Sequence, residues 1–594
     1  MKQFFTKNSE LVFLSFIMLA MLLVRFAKLS TGFDPEYDQS MLLANFPLEH
    51  PSDVLRPLPY FEQTTTLGHA ILMDGLARVF GPEGMARVHA IRLVTLLVFT
   101  TSLFWLYFPL RRYLSPIEAL LSIVLIGSSP TALTFAVNSK HYAFEFAATV
   151  AMLAAAQCYL RRPNLRSAIG VVAAGIFAAF FAFVAPVIIA VVGIATLVAQ
   201  ATETKRHQQT LWRDLTRTLV LGAVLITISA GFYFGYTRIV TAFDFAAYSE
   251  RDAAKYIELD NPFSRQSVRN SLEYATYFFK LVEVSFREFE TLRYRQYIPY
   301  FTPVLLLYFV GLKALWHRSP FLVTAAILTP ATTLALNLAQ AFPLSGVRQH
   351  IFAAPLVVPV VAVGLTTAVR WVADRISAPA LANAALFSLM AVAILLSGIG
   401  AFHDRGVVAR LVDEMENSDA PIWVYYGGQP ILRTLRPDWM DGENGRVQGL
   451  LNHNSSTERW TLQARVPDDT GMIPDYYVSS SRTIAQPERL WMVFSMWYFD
   501  IARTAGLEVF IQHARGRGKD CAIWRNSHRT VVAYCGPEAE VAILRARTIR
   551  DQSAEWESWV QSGAWIQSVK GGTGQLLRGE DGPVVAGGKV TSTY

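Results

Sequence analysis

The chain has 594 residues, of which 52% are hydrophobic and 17% charged, with a formal net charge of +7 and a mean hydropathy of +0.30. Soluble proteins carry about 25% charged residues, so this composition excludes an ordinary soluble globular chain. The positive excess is spread over many short segments, with no basic stripe suited to nucleic acid.

About 20 apolar residues cross a hydrocarbon core of roughly 30 Å. In chain order, apolar runs of about that length occupy 11–27, 91–110, 116–137, 142–160, 166–182, 184–200, 217–238, 298–313, 319–340, 351–369 and 381–401. Read as one helix, 166–200 would reach about 52 Å at 1.5 Å per residue. It is therefore split near Val184 and Pro186 into a tight hairpin. Charge supports the split, because cytoplasmic loops hold the Lys/Arg excess. With Lys2 and Lys7 inside, the inside loops carry Arg111 and Arg112; Arg161, Arg162 and Arg166; Lys205, Arg206, Arg213 and Arg217; Lys313 and Arg318; and Arg370 and Arg375. Eleven spans then leave the N-terminus cytoplasmic and the C-terminal region on the other face. The first run lacks a small-x-small cleavage site and reads as a retained anchor.

The fold class expected is a polytopic α-helical membrane protein with a C-terminal extracytoplasmic α/β domain. Residues 1–401 form the membrane domain, with outer loops 28–90 and 239–297. The segment "SVRNSLEYATYFFKLVEVSFREFETLRY" in the second loop has the mixed helical spacing of an interfacial helix. Residues 402–594 read as helix ("DRGVVARLVDEME"), strand ("PIWVYYG"), a long loop, strand ("RLWMVFS"), helix ("FDIARTAGLEVFIQHA") and a strand pair, with a Gly- and Ser-rich, poorly ordered end. A hairpin through "CAIWRNSHRTVVAYC" sets Cys521 opposite Cys535, within disulfide range. An outer location favours that disulfide. Cys158 lies within a span and reads as packing.

Three carboxylates, Asp34, Glu36 and Asp38, follow the first span within "FDPEYDQSM". Such a cluster attracts a proton or a cation; a solvated acidic loop and an N-cap by Asp38 are the plain alternatives. The next stretch, "LRPLPYFEQTTTLGHAILMDGLARVFGPEGMARVHAIRL", looks like a segment folded back along the membrane. Two further loops that the topology puts on the same face carry cations: Lys140 in "NSKHYAFE" and Arg348 in "GVRQH". A forked guanidinium suits phosphate; snorkelling to headgroups is the alternative for both.

The order of an acidic first outer loop, "PLPYFEQTT", "VFGPEGMARVHAIRL", "SSPTALTFAVNSKHYAFE" and "FPLSGVRQHIFAAP" resembles the GT-C membrane glycosyltransferases. Within them it is similar to the branch of protein O-mannosyltransferases and lipid A aminoarabinose transferases. The resemblance covers roughly 10–370. It implies transfer of a sugar from a polyprenyl-phosphate donor to an extracytoplasmic acceptor, with inversion. The family motif is an acidic pair or an acidic-x-acidic variant, often with an Asn seven residues after its Asp. Asn45 then matches Asp38 to the catalytic base, with Gln39 where Glu is common and Asp34 and Glu36 as alternatives. The resemblance sets Glu62 and Gln63 near the acceptor side, with Glu62 as a further candidate base. The donor phosphate falls to Arg348 and Lys140, with His350, His141 and Tyr142 as helpers, while Arg92 reads as packing or snorkelling. Asp34, Glu36 and Asp38 are the ligands if Mg²⁺ or Mn²⁺ takes part. The partners expected are the lipid-linked donor, the acceptor and the bilayer, without nucleic acid. The location expected is a bacterial inner membrane with a periplasmic C-terminal domain. A transporter, or a scaffold whose outer domain binds a partner, is the alternative; a transporter predicts ionisable groups near the midplane.

Overall fold

The computed structural model describes residues 7–30, 37–59, 65–81, 84–204, 208–241, 294–339, 347–401, 407–425, 428–440, 446–454, 459–465, 476–480, 488–495, 517–526, 530–547, 575–579 and 582–586, with a few positions in 264–271 and 511–515. The chain divides into two compact units. One comprises Met1–Ser30, Pro47–Val79 and His89–His403; the other comprises Thr31–Phe46, Phe80–Val88 and Asp404–Tyr594. This differs from a single cut at 401/402, because two pieces of the first outer loop belong with the C-terminal region.

The helical unit is built on α1 (Lys7–Ser30), α3 (Leu67–Phe80), α4 (Gly84–Arg111), α5 (Pro116–Ser128), α6 (Pro130–Ala136), α7 (Tyr142–Arg161), α8 (Leu165–Phe181), α9 (Ala185–Thr204) and α10 (Gln208–Phe232), with α2 (Tyr37–Leu43) in the other unit. It continues with α11 (Tyr294–Leu315), α12 (Pro320–Leu338), α13 (Ala354–Arg375) and α14 (Pro379–Ala401). Each of the eleven apolar runs is helical. Among the described residues eight helices are long and apolar enough to cross a membrane, and the α5–α6 pair is a ninth if its two halves form one span. The stretches Leu165–Phe181 and Thr302–Leu315 are apolar but shorter.

The expected span 116–137 is not straight. It bends by 66° between α5 and α6. Pro130 lacks an N–H and starts a new helix, with Ser129 as its N-cap accepting from Ala132 N at 3.0 Å. The break frees carbonyls, and the buried guanidinium of Arg25 takes that of Gly127 at 2.6 Å. A second donor of Arg25 reaches Met21 O at 3.2 Å, and its plane lies over the Phe99 ring. An arginine inside a span is thus used as a brace for a broken helix. The hairpin between α8 and α9 turns at 182–184, where the sequence places it.

Close helix crossings occur where glycine removes the side chain. A Cβ on Gly364 of α13 would collide with Leu307 O, and one on Gly311 of α11 with Val360 O. Cys158 is exposed on α7 rather than packed, correcting the sequence expectation. Within the first outer loop, α3 buries His69, Met73, Asp74 and Ala77 and exposes Ile71 and Val79. Asp74 Oδ1 accepts from Leu48 N at 2.8 Å, and its other oxygen accepts from Arg78 Nε at 2.7 Å.

The second unit contains α2, α15 (Val408–Glu416), α16 (Gln429–Leu435) and α17 (Glu538–Arg547). Its strands are β1 (Ile422–Tyr425), β2 (Val447–Asn454), β3 (Arg459–Arg465), β4 (Tyr476–Ser480), β5 (Leu490–Ser495), β6 (Asp520–Asn526) and β7 (Thr530–Gly536), in the order β4-β3-β2-β1-β5-β7-β6. β1 lies parallel to β2 and β5, and the remaining pairs are antiparallel. β2, β3 and β4 lie in what reads as a long loop. Sequences such as "VQGLLNHN" are too polar to announce a strand; β2 pairs on the edge of β1, and β3 and β4 add to it in turn. The proposed helix 499–514 lies largely outside the described residues, as does most of 239–297. The end expected to be poorly ordered contains a hairpin of β8 (Gln575–Gly579) and β9 (Gly582–Ala586). Register sets Cys521 opposite Cys535, and the two are disulfide-bonded.

Candidate functional site

The chemistry-bearing residues of the helical unit gather around the link between α6 and α7. Asn138 Oδ1 accepts the Lys140 N–H at 2.9 Å, which folds 138–140 into a tight turn and sets His141 as the residue before α7. His141 is nearly buried, with Nε2 3.6 Å from Glu145 Oε1 one helical turn on. Its ring meets that of Phe183 edge-on at 4.8 Å and lies 5.0 Å from that of Tyr142. The Glu145 carboxylate also accepts from the backbone N–H groups of Phe183 and Val184, and so ties the α8–α9 turn to α7.

His69 enters the same cluster from α3. Its ring is 6.0 Å from that of His141, and Nδ1 is 2.7 Å from Thr65 Oγ1. Tyr236 donates to Thr65 O at 3.1 Å and fixes that residue in turn. Gly68 permits the close approach: a Cβ there would strike the rings of Phe180 and Phe181. Burial pushes the His69 imidazole down to about 3, against a backbone hydrogen bond at Ser139 that favours the proton and with the Lys140 ammonium adding to the shift. His69 is therefore neutral at pH 7 and serves as a hydrogen-bonding group, leaving positive charge here to lysine and arginine.

The 3-10 turn Val347–Ala353 packs against both α6 and α7, and so flanks the Lys140 link. It carries Arg348 and the buried His350. Two of the three loops singled out in the sequence thus lie side by side. Arg92 is buried in α4, seven residues before Phe99, whose ring stacks on Phe146 of α7 at 4.5 Å.

Asp38 lies on α2, in the other unit. Asp34, Glu36, Glu62 and Gln63 lie outside the described residues, as do the side chains of Asp38 and Arg348. Among the described residues no three His, Cys, Asp or Glu side chains come together as metal ligands. Sequence reasoning passed over His69 and Glu145. Each is a polar residue in a largely apolar helix, a pattern that signals a buried partner without saying which.

No protein-family model matches the chain, and no curated protein matches it in sequence. Solved structures do resemble it. ArnT from Cupriavidus metallidurans bound to undecaprenyl phosphate superposes with a TM-score of 0.46 at 12% identity, covering 88% of this chain and 98% of that one. AglB, the oligosaccharyltransferase of Archaeoglobus fulgidus, in complex with an inhibitory peptide and a dolichol-phosphate, gives 0.44 at 11%, covering 94% and 86%. An A. fulgidus oligosaccharyltransferase complex with zinc and sulfate gives 0.43 at 13%, covering 70% of this chain; the chain spans 61% of its length. These neighbours are glycosyltransferases of the GT-C class whose motif order the sequence resembles. At such scores and identities the likeness carries no function across.

Proposed function

We propose that this integral membrane protein is a glycosyltransferase that moves a sugar from a polyprenyl-phosphate donor to an acceptor on the extracytoplasmic face, with inversion. The observation that carries the reading is the packing of the 3-10 turn bearing Arg348 against α6 and α7, beside Lys140. Two cations beside one turn at the end of an apolar bundle suit the phosphate of a donor whose tail lies in lipid. In the reaction a carboxylate, Asp38 with Glu36, Asp34 and Glu62 as alternatives, takes the acceptor hydroxyl's proton. The acceptor oxygen bonds to the anomeric carbon as the bond from that carbon to the phosphate oxygen breaks. The phosphate leaves with the electron pair, and Arg348 and Lys140 meet its growing charge. His350, His141 and Tyr142 hydrogen-bond around it. On this reading the N-terminus is cytoplasmic and the C-terminal unit periplasmic in a bacterial inner membrane, an orientation that the basic loops favour.

The test is transfer by the full chain in nanodiscs with a panel of polyprenyl-phosphate sugars. Asp38→Asn and Arg348→Ala are each expected to lower kcat/KM by about 100-fold or more at unchanged expression. Wild-type rates in both variants overturn the reading. The transporter alternative is weakened by Arg25, a charge inside a span whose two terminal nitrogens donate to backbone carbonyls.

A further inference from the structure

Helix α2 has seven residues, fewer than an isolated helix needs to persist in water. What holds it lies far away in sequence. α2 packs against α16, and the Thr434 hydroxyl of α16 lies 3.0 Å from Ser40 O and 2.8 Å from Pro430 O, so that it donates to one or the other. Ser40 O also accepts from Ala44 N at 2.9 Å, and Asn45 Nδ2 donates to Met41 O at 2.8 Å. The guanidinium of Arg87 closes the arrangement: one nitrogen donates to Phe46 O, just past α2, and the other to Thr434 O at 2.7 Å. Arg87 and Thr434 are both buried. All of these residues belong to the same compact unit, drawn from its three chain segments. The carbonyls of Met41, Leu42 and Leu43 at the end of this short helix are capped locally by Asn45 and Phe46, while that of Ser40 lies within reach of a hydroxyl hundreds of residues distant and Phe46 O, just beyond, is held by Arg87.

We propose that Arg87 and Thr434 are positioning residues that clamp the acidic helix α2, and with it Asp38, onto the C-terminal sheet unit. The C-terminal region is then part of the apparatus that sets the base, and not a detachable recognition module. This rests on Asp38 as the base of the proposed function. Loss of the Thr434 hydroxyl frees α2, moves the carboxylate and slows the chemical step without weakening donor binding.

The experiment uses the full chain in nanodiscs with two readouts. The first is kinetic. Thr434→Val, which keeps the shape and removes the hydroxyl, is expected to lower kcat about tenfold or more, as small misplacements do, with donor KM unchanged; Thr434→Ser restores it. In an Asp38→Asn background Thr434→Val costs nothing further. The second readout is independent of catalysis: a spin label at Asp38→Cys, in a Cys158→Ser background, is immobile, gains mobility with Thr434→Val or Arg87→Met, and is immobile again with Thr434→Ser. If Thr434→Val does not reach the membrane, Arg87→Lys, which keeps the charge and loses the fork, serves in both assays. Unchanged label mobility in these variants overturns the proposal. A mobility response together with wild-type turnover in Asp38→Asn leaves the clamp standing and removes Asp38 as the base.

Discussion

The two units obey one rule with opposite results. The helical unit exposes Val12, Phe16, Trp371 and Leu395 and buries Arg25, His69, Arg92, Glu145 and His350. The sheet unit, among its described residues, exposes few large apolar side chains, Phe80 and Ile543, and buries Trp439, Trp491 and Trp524. Its α15 buries Val408, Leu411 and Met415, spaced as on one face of an amphipathic helix. In water apolar surface is driven inward; in lipid it costs nothing outside, and interiors are free to hold polar groups that find partners. The difference teaches where each unit lives. Helix α3 is mixed: it buries His69 and Asp74 beside Met73 and Ala77, and exposes Ile71 and Val79 beside Arg78.

Three measurements sharpen or break this contrast. The largest effect is expected in the sheet unit. Converting Cys521 and Cys535 to serine together opens a loop with a sequence separation of 14, and removing a cross-link of that size costs about 3 kcal/mol. Hydrogen exchange should rise at β6 and β7 and stay unchanged in α11–α13. A rise in both units would show that they unfold as one.

Next comes a reversal of helix propensity in the helical unit. Alanine in place of glycine favours a helix by about 1 kcal/mol. Gly193→Ala, with nothing within 4 Å of the new methyl group, should raise the melting temperature slightly. Gly364→Ala, whose Cβ meets Leu307 O, should lower stability by roughly 1–3 kcal/mol. Equal responses at the two sites would dismiss the tight α11–α13 crossing.

The third effect, spread over pH, concerns His69, whose folded value of about 3 lies below the unfolded value near 6.5. The unfolded chain binds the proton first, so the folded state loses stability as pH falls below about 6.5, and the loss levels off near 3. The slope from this one group is at most about 1.4 kcal/mol per pH unit. Thermal melting of wild type and His69→Gln across pH 7.5 to 5 checks it. Parallel curves would place His69 in water.

Legibility followed the range of the signal. The helices were readable because hydropathy over 20 residues is a local property. β1, β5, β6 and β7 were readable from β-branched and aromatic runs, and the cysteine register from spacing alone. β2–β4 were not, because polar strands form where a neighbouring edge receives them. In the candidate site Lys140 and Arg348 stood out as cations in outer loops. His69 and Glu145 did not, because a polar residue in a largely apolar helix names no partner.

The sequence by itself determined that much of this chain lies in lipid, where its apolar helices run, and that a mixed α/β region follows them, since each depends on residues near one another in the chain. Only the tertiary structure decided that residues 31–46 and 80–88 belong with the C-terminal sheet. Among the contacts that join them are the bonds of Arg87 and Thr434 to backbone carbonyls. Every residue offers a carbonyl, so no side-chain pattern announces which ones will be used.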